Sequence, residues 1–258
     1  MASPLFDLTG KVAVVTGSSK GIGKSIALHL ALQGAKVVVS SRKAPACDEA
    51  AAEIKAAGGE AIVIPCNISD KAQCENLIAE TNKQLGPVDI LVCNAASNPY
   101  YGPNEKLPDD VFMKVMHNNI LSSMWLINFC LPDMRAKKDG SIIIVSSIGG
   151  VRGTPVIGAY GISKAADMQL ARNLAVEYGK DNIRVNTIAP GLVKTDFAKA
   201  LWDDPKYLAV RLKGAPLGRI GEPDDIGGIA VMLAGKAGAF ITGQTIIADA
   251  GVTIGSGG

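Results

Sequence analysis

Seven short runs of apolar, mostly β-branched residues punctuate the chain: KVAVVT from position 11, KVVVS from 36, AIVIP from 61, DILVC from 89, SIIIVSS from 141, IRVNTIA from 183 and QTIIA from 244. A strand with one wet face would alternate apolar and polar positions, so continuous runs predict strands buried on both faces. Between most of them, apolar residues recur at helical spacing and predict helices over 23–33, 48–57, 71–85, 110–134, 160–178 and 223–233. Buried strands alternating with helices predict the α/β class, a doubly wound parallel sheet of about seven strands covered on both faces. Ligands of such sheets sit beyond the carboxyl ends of the strands. No repeat or linker breaks the alternation, and 258 residues fit one domain, 1–258, better than two. The one long interruption, between Pro190 and Pro223, predicts a substrate loop around 191–222 with one or two short helices.

Composition narrows the function without naming it. With 48% hydrophobic and 19% charged residues the balance is globular, and a net charge of +2 without a dense basic run gives no reason to expect nucleic acid or a membrane as partner. Cys47, Cys66, Cys74, Cys93 and Cys130 are odd in number and lack a CxxC pair, which suits a reducing compartment and no disulfide framework. His29 and His117 alone cannot build a multi-histidine metal site or a histidine-centred triad, so no metal is expected. The N-terminus, MASPLFDLTG, lacks the regions of a secretory signal, and no apolar run is long enough to span a bilayer. Cytoplasmic placement is the expectation.

Two motifs carry chemistry. TGSSKGIG, 16–23, follows the first strand and opens the first helix, where Gly17, Gly21 and Gly23 permit a tight turn, close backbone approach to a pyrophosphate and close helix packing. YGISK places Tyr160 and Lys164 four positions apart, on one helical face, so an ammonium can lie close to a phenol. A tyrosine, with a reference pKa of about 10, is a poor base at neutral pH, and lowering one by about three units takes about 4 kcal/mol. A unit charge about 4 Å away supplies about 4 kcal/mol at an effective dielectric of about 20. The lysine is therefore adequate if bulk water is excluded.

TGxxxGxG, a downstream NAG-like element, a serine after the fifth strand and YxxxK, in that order, resemble the short-chain dehydrogenase/reductase family over essentially the whole chain. The resemblance implies a single Rossmann-like domain using NAD or NADP. It implies Tyr160 as the proton-transferring tyrosine and Lys164 as the lysine that stabilises it and fixes the nicotinamide ribose. Ser147 matches the serine that holds the substrate oxygen, with Ser146 beside it as the alternative. Asn119, with Asn118 as alternative, matches the asparagine that positions a water; its spacing to Pro132 reproduces the family's spacing to a proline at the helix end. The resemblance also assigns the cofactor to Ser19 and Ile22 of the glycine loop, Asn67 and Ile68 near the adenine, Asn94 and Ala95 of the NAG-like element, and Pro190, Gly191, Val193 and Thr195 around the carboxamide. Two departures stand out: Ala96 replaces the usual glycine, and Asn67 the usual aspartate.

The second strand ends VVVSSRK, with Ser41 where an NAD enzyme usually offers an acid, and Arg42 beside it. Lys20 adds a second cation, so a 2′-phosphate would be attracted and NADPH/NADP+ is the expected cofactor. CNAASNPYYG and GLVKTDFAKALW resemble the branch that reduces retinal and other lipophilic or aromatic carbonyls; its members often end in a peroxisomal tripeptide, and the terminal glycines here carry no such placement over. The expected activity is interconversion of a small carbonyl compound and its alcohol. The alternatives are reduction of a 3-ketoacyl thioester and a catalytically silent NADP-binding scaffold. Tyr100, Tyr101, Phe197, Leu201, Trp202 and Tyr207 are either substrate walls or core and subunit contacts. A homo-oligomer, by resemblance a tetramer, is expected through the two long helices.

Overall fold

Side chains alternate along the central strands and so build two cores, one on each side of a sheet. In β1 (Val12–Thr16), Ala13 and Val15 join one core and Val14 the other; in β2 (Lys36–Ser40), Val37 and Val39 oppose Val38. β4 (Ile90–Cys93) and β5 (Gly140–Val145) divide in the same way, with Ile90, Val92, Ile143 and Val145 against Leu91, Cys93, Ile142 and Ile144. The computed structural model describes residues 3–255; residues 1–2 and 256–258 of the expected domain, and the side chain of Tyr207, lie outside the described residues.

With β3 (Glu60–Val63), β6 (Ile183–Pro190) and β7 (Thr245–Ala248), the strands form a seven-stranded sheet in the order β3-β2-β1-β4-β5-β6-β7. Every pairing is parallel, as continuous apolar strands require. Helices α1 (Gly21–Leu32), α2 (Ala44–Ala56) and α9 (Asp224–Ala234) cover one face through Ile26, Leu30, Ile54 and Ile226. Helices α3 (Lys71–Leu85), α5 (Ser122–Lys137) and α6 (Gly158–Tyr178) cover the other through Leu77, Leu126, Met134 and Ala171. The sequence runs outward from β1 to β3, then returns to the middle and runs outward from β4 to β7. A crevice therefore opens at the carboxyl ends of β1 and β4.

Two helix expectations are corrected. Helix α2 begins at Ala44 rather than 48, because Pro45 sits in the first turn, where its missing amide has no partner to lose. The single helix expected over 110–134 is α4 (Asp109–Met116), a π-helical turn at His117–Leu121, and α5. Pro132 lies inside α5 instead of at its end. Burial of Cys130 and Met134 beneath the sheet outweighs the one lost amide bond, and the helix stops only at Lys138, in left-handed conformation with φ 54°.

The segment 191–222 is closed at its base. The Lys194 amide donates to the Gly221 carbonyl at 2.8 Å, and the Gly221 amide to the Leu192 carbonyl at 2.9 Å. Inside lie a 3-10 turn (Asp196–Ala198), α7 (Lys199–Trp202) and α8 (Pro205–Lys213). Beyond the base, Arg219 grips Asp225 through two bonds of 2.6 and 2.8 Å. Those bonds, with the Glu222 amide, hold the Asp225 carboxyl down at about 2. The five cysteines are free and buried. Among the described residues no helix is long and apolar enough to cross a membrane, and no group of three or more His, Cys, Asp or Glu side chains could hold a metal ion.

Candidate active site

The turn from β1 into α1 needs its glycines. Gly17 and Gly21 have φ of 66° and 56°, the left-handed region that glycine enters without strain. A Cβ on Gly23 would lie 2.4 Å from the Gly17 carbonyl oxygen. Neighbouring strands brace the turn from below. Ser18 Oγ donates to the Val15 carbonyl at 2.6 Å and accepts from the Ser40 amide at 2.9 Å. Thr16 Oγ1 accepts from the amides of Asn94 and Ala95, both at 3.1 Å, while Asn94 Nδ2 donates to the carbonyls of Thr16 and Gly17. The Asn94 side chain thus fastens the glycine loop to β4. Behind Lys20, α1 starts with no side-chain cap, so its first amides and the positive end of its dipole face the crevice as a cradle suited to a pyrophosphate.

A cleft of about 1750 Å³ extends from this cradle. Every cofactor residue expected from the sequence lines it, as do Ser147, Tyr160 and Lys164. Beside the cradle, where a Cβ on Gly21 would lie 3.1 Å from Thr195 Cγ2, the bridge between Val193 and Gly221 is made through Leu192 and Lys194 and leaves Val193's own amide unused by that pairing. Ser41 lines the cleft where β2 ends, with its hydroxyl 3.1 Å from Cys47 Sγ, and Arg42 beside it is exposed. Lys20 is not free there: it pairs with Asp196 of the 191–222 segment at 2.8 Å, both side chains being exposed. The dimensions, the uncapped helix and the glycine cradle fit a dinucleotide.

Helix α6 and the end of β5 bring the reactive side chains together. Small residues let them approach: a Cβ on Gly150 would lie 2.6 Å from the Lys164 carbonyl carbon, and one on Gly161 2.8 Å from the Gly149 carbonyl oxygen. Ser147 Oγ accepts from the Gly149 amide at 3.1 Å and stays partly open to the cleft. The space over Gly149 is bordered by Ser147 Oγ at 3.4 Å and the Tyr160 ring at 3.8 Å, so hydroxyl and ring are neighbours. Ser146 Oγ instead donates to the Lys164 carbonyl at 2.7 Å and is buried, which makes it a brace for α6. Lys164 Nζ lies 5.6 Å from the Tyr160 ring centre and donates to the Val145 carbonyl and to Asp167 Oδ2, both at 2.9 Å. Burial works against this ammonium, but the charge of Asp167, then the neighbouring Tyr160, outweighs it and raises its pKa above the ordinary lysine value. A phenol beside a fixed cation and a second hydroxyl is an arrangement that moves a proton to or from a substrate oxygen.

Asn119 does not line this cleft. Its Oδ1 accepts from the Ser97 amide at 2.8 Å, and its Nδ2 donates to the Ser97 carbonyl and to Ser163 Oγ. Asn118 does line it, with its side chain between Ser69 Oγ and Ser97 Oγ. Of the expected aromatic walls, Tyr101, Phe197 and Leu201 line the cleft, and the Phe197 ring lies 6.3 Å from that of Tyr160. Tyr100 donates to the Pro103 carbonyl, Trp202 Nε1 to the Thr195 carbonyl, and neither is part of the wall. Sequence reasoning missed Asp167 as the partner of Lys164, although their i, i+3 spacing on one helix is a signal that could have found it.

Residues 17–253 match the family model described as enoyl-(acyl carrier protein) reductase. The chain is 39% identical over 244 residues to dehydrogenase/reductase SDR family member 4 of Bos taurus, a match covering 95% of this chain and 88% of that protein. A gluconate 5-dehydrogenase from Burkholderia cenocepacia, solved in complex with NADP and tartrate, superposes with a TM-score of 0.93 at 30% identity, covering 98% of this chain and 99% of that one. A 3-oxoacyl (acyl-carrier-protein) reductase from Agrobacterium tumefaciens, solved with NADP bound, gives a TM-score of 0.90 at 34% identity over 95% of both chains.

Proposed function

The chain belongs to the short-chain dehydrogenase/reductase family of nicotinamide-dependent oxidoreductases, and from that premise we propose that it interconverts a carbonyl compound and its alcohol with NADP(H). The observation that carries the reading is the convergence of Ser147, Tyr160 and Lys164 on the cleft that holds the glycine cradle. The nicotinamide, when bound, supplies or accepts the hydride. The Tyr160 hydroxyl gives a proton to the substrate oxygen in reduction and takes it back in oxidation. Ser147 Oγ holds that oxygen by a hydrogen bond, and the Lys164 cation favours the phenolate and keeps one N–H for the ribose, since an ammonium has three donors and two are already bound. The Asn119 side chain is engaged by Ser97 and Ser163 and its carbonyl accepts from Ser123 Oγ at 3.2 Å, so it braces α5 and α6 beside the site.

NADP(H) is favoured over NAD(H) because β2 is followed by Ser41 and the exposed Arg42 in place of an acid. The NADP-bound states of two solved relatives support the same choice. Tyr101, Phe197 and Leu201 give the substrate end an apolar, aromatic wall, which suits a lipophilic or aromatic carbonyl. A second reading, reduction of a 3-ketoacyl thioester, is favoured by the likeness to the 3-oxoacyl reductase. Five free, buried thiols suit a reducing compartment, and we place the reaction in the cytoplasm.

The test is NADPH oxidation against ketones, diketones, aldehydes, retinal and 3-ketoacyl thioesters. Turnover of lipophilic carbonyls is expected. Turnover confined to thioesters would replace the first reading by the second, and tight NADPH binding without turnover of any substrate would mark a scaffold.

A further inference from the structure

Asp167 has no part in the chemistry assigned above, yet its side chain is fully buried. It follows Tyr160 and Lys164 along one face of α6, at positions i, i+4 and i+7. Oδ2 accepts from Lys164 Nζ at 2.9 Å, while Oδ1 has no hydrogen-bond partner among the described residues. As a structural device this is poor: removing two charges from water offsets most of their attraction, a lone carboxylate oxygen adds a further cost, and two apolar side chains of similar volume would serve the core as well. What those apolar side chains could not supply is the cation. Lys164 is 3% exposed, and a lysine buried to that degree without a counter-charge drifts toward its neutral form.

We propose that Asp167 is the positioning residue for the Lys164 ammonium, holding it protonated inside the protein and, with the Val145 carbonyl, fixing Nζ before any ligand arrives. The inference rests on the proton-transfer reading of Tyr160 and Lys164. Two anchors from two elements, the end of β5 and the next turn of α6, leave one N–H for the cleft, so the cation is pre-organised for the ribose and the phenol. The groups that face Lys164 are Tyr160 and Asp167 from its own helix, the Val145 carbonyl from β5 and Cys93 from β4. Burial, opposed by a hydrogen bond from Ser123, pushes the Cys93 thiol up to about 12, so Cys93 stays neutral and cannot replace Asp167 as counter-charge.

The test is Asp167→Asn, which keeps the shape and removes the charge, followed by NADPH fluorescence titration and by kcat/KM across pH. Both quantities should fall at a lower pH than in the wild type, with an extra loss of at least about tenfold on the alkaline side, as Lys164 loses its proton more readily. Asp167→Glu, which keeps the charge, should restore the wild-type profile. A loss by the same factor at every pH would show a space-filling role and overturn the proposal. Tyr160→Phe in the same assays separates the two readings: retained turnover there would sink the proton-transfer reading, whereas the NADPH titration still reports on Asp167 and Lys164. If Asp167→Asn does not fold, the double variant Lys164→Met with Asp167→Leu decides. Its folding would show that Asp167 is needed only where the cation is present, and its failure to fold would contradict the proposal.

Discussion

Ser41 and Arg42 stand where an adenosine ribose would meet the end of β2. Arg42 takes part in none of the ion pairs among the described residues, while Lys20 is paired with Asp196. On the NADP(H) proposal the phosphate would therefore be read mainly by Arg42, with Lys20 joining only by leaving Asp196. One charge-assisted contact is worth about 1.5–3 kcal/mol, less where water screens it, so NADPH should be preferred over NADH by about tenfold to a hundredfold, falling as salt rises. Replacing Ser41 with Asp and Arg42 with Ala adds a ribose acceptor and removes an attraction, which should reverse the preference. The ratio of kcat/KM for the two cofactors at matched ionic strength measures it. A wild type that prefers NADH, or a double variant with an unchanged ratio, would show that these residues do not read the phosphate.

Helices α4, α5 and α6 leave part of their surface unfilled. Met113, Leu121 and Met124, all exposed, border a shallow hollow of about 500 Å³ closed from α6 by Ala166. Such an apolar patch suits a self-complementary contact between copies of the chain. The wild type should therefore exceed its 26.7 kDa monomer mass in light scattering, and Met124→Asp, which would bury a carboxylate at that contact, should lower the mass. A monomeric wild type, or a variant of unchanged mass, would contradict this contact. The same elements show where sequence patterning stops. The apolar periodicity of 110–134 revealed a helix, but a π-helical turn adds one residue to a turn without changing composition, so His117–Leu121 left no mark. Its effect is visible only in three dimensions, where Asn119 packs against Ser97 and Ser163 while Asn118 meets the cleft.

Across the whole molecule, what could be read early was what local chemistry dictates. Seven continuous apolar runs became seven parallel strands; the five inner ones are buried on both faces and so have no wet side to encode, whereas the edge strands β3 and β7 are partly exposed. Gly17 and Gly21 were legible because left-handed backbone admits few residue types, and the meeting of Ser147, Tyr160 and Lys164 on one cleft followed from the i, i+4 spacing and the serine after β5. The hidden parts depend on pairs that the fold brings together. Lys20 and Asp196 are 176 positions apart in sequence and close only when the 191–222 segment folds over the cradle. Asp167 was not singled out in the sequence, and its burial behind Lys164 shows only in the fold.

In the proposed reaction the whole arrangement, from the glycine cradle to the braced end of β5, serves to deliver one phenol to a substrate oxygen beside the nicotinamide. Tyr160→Phe removes only that hydroxyl. Single-turnover kinetics on the best carbonyl substrate, with NADPH titrated in parallel, should show cofactor affinity close to wild type and a rate lower by at least about a hundredfold. A variant that binds NADPH and reduces the substrate at a near-normal rate would show that Tyr160 does not move the proton.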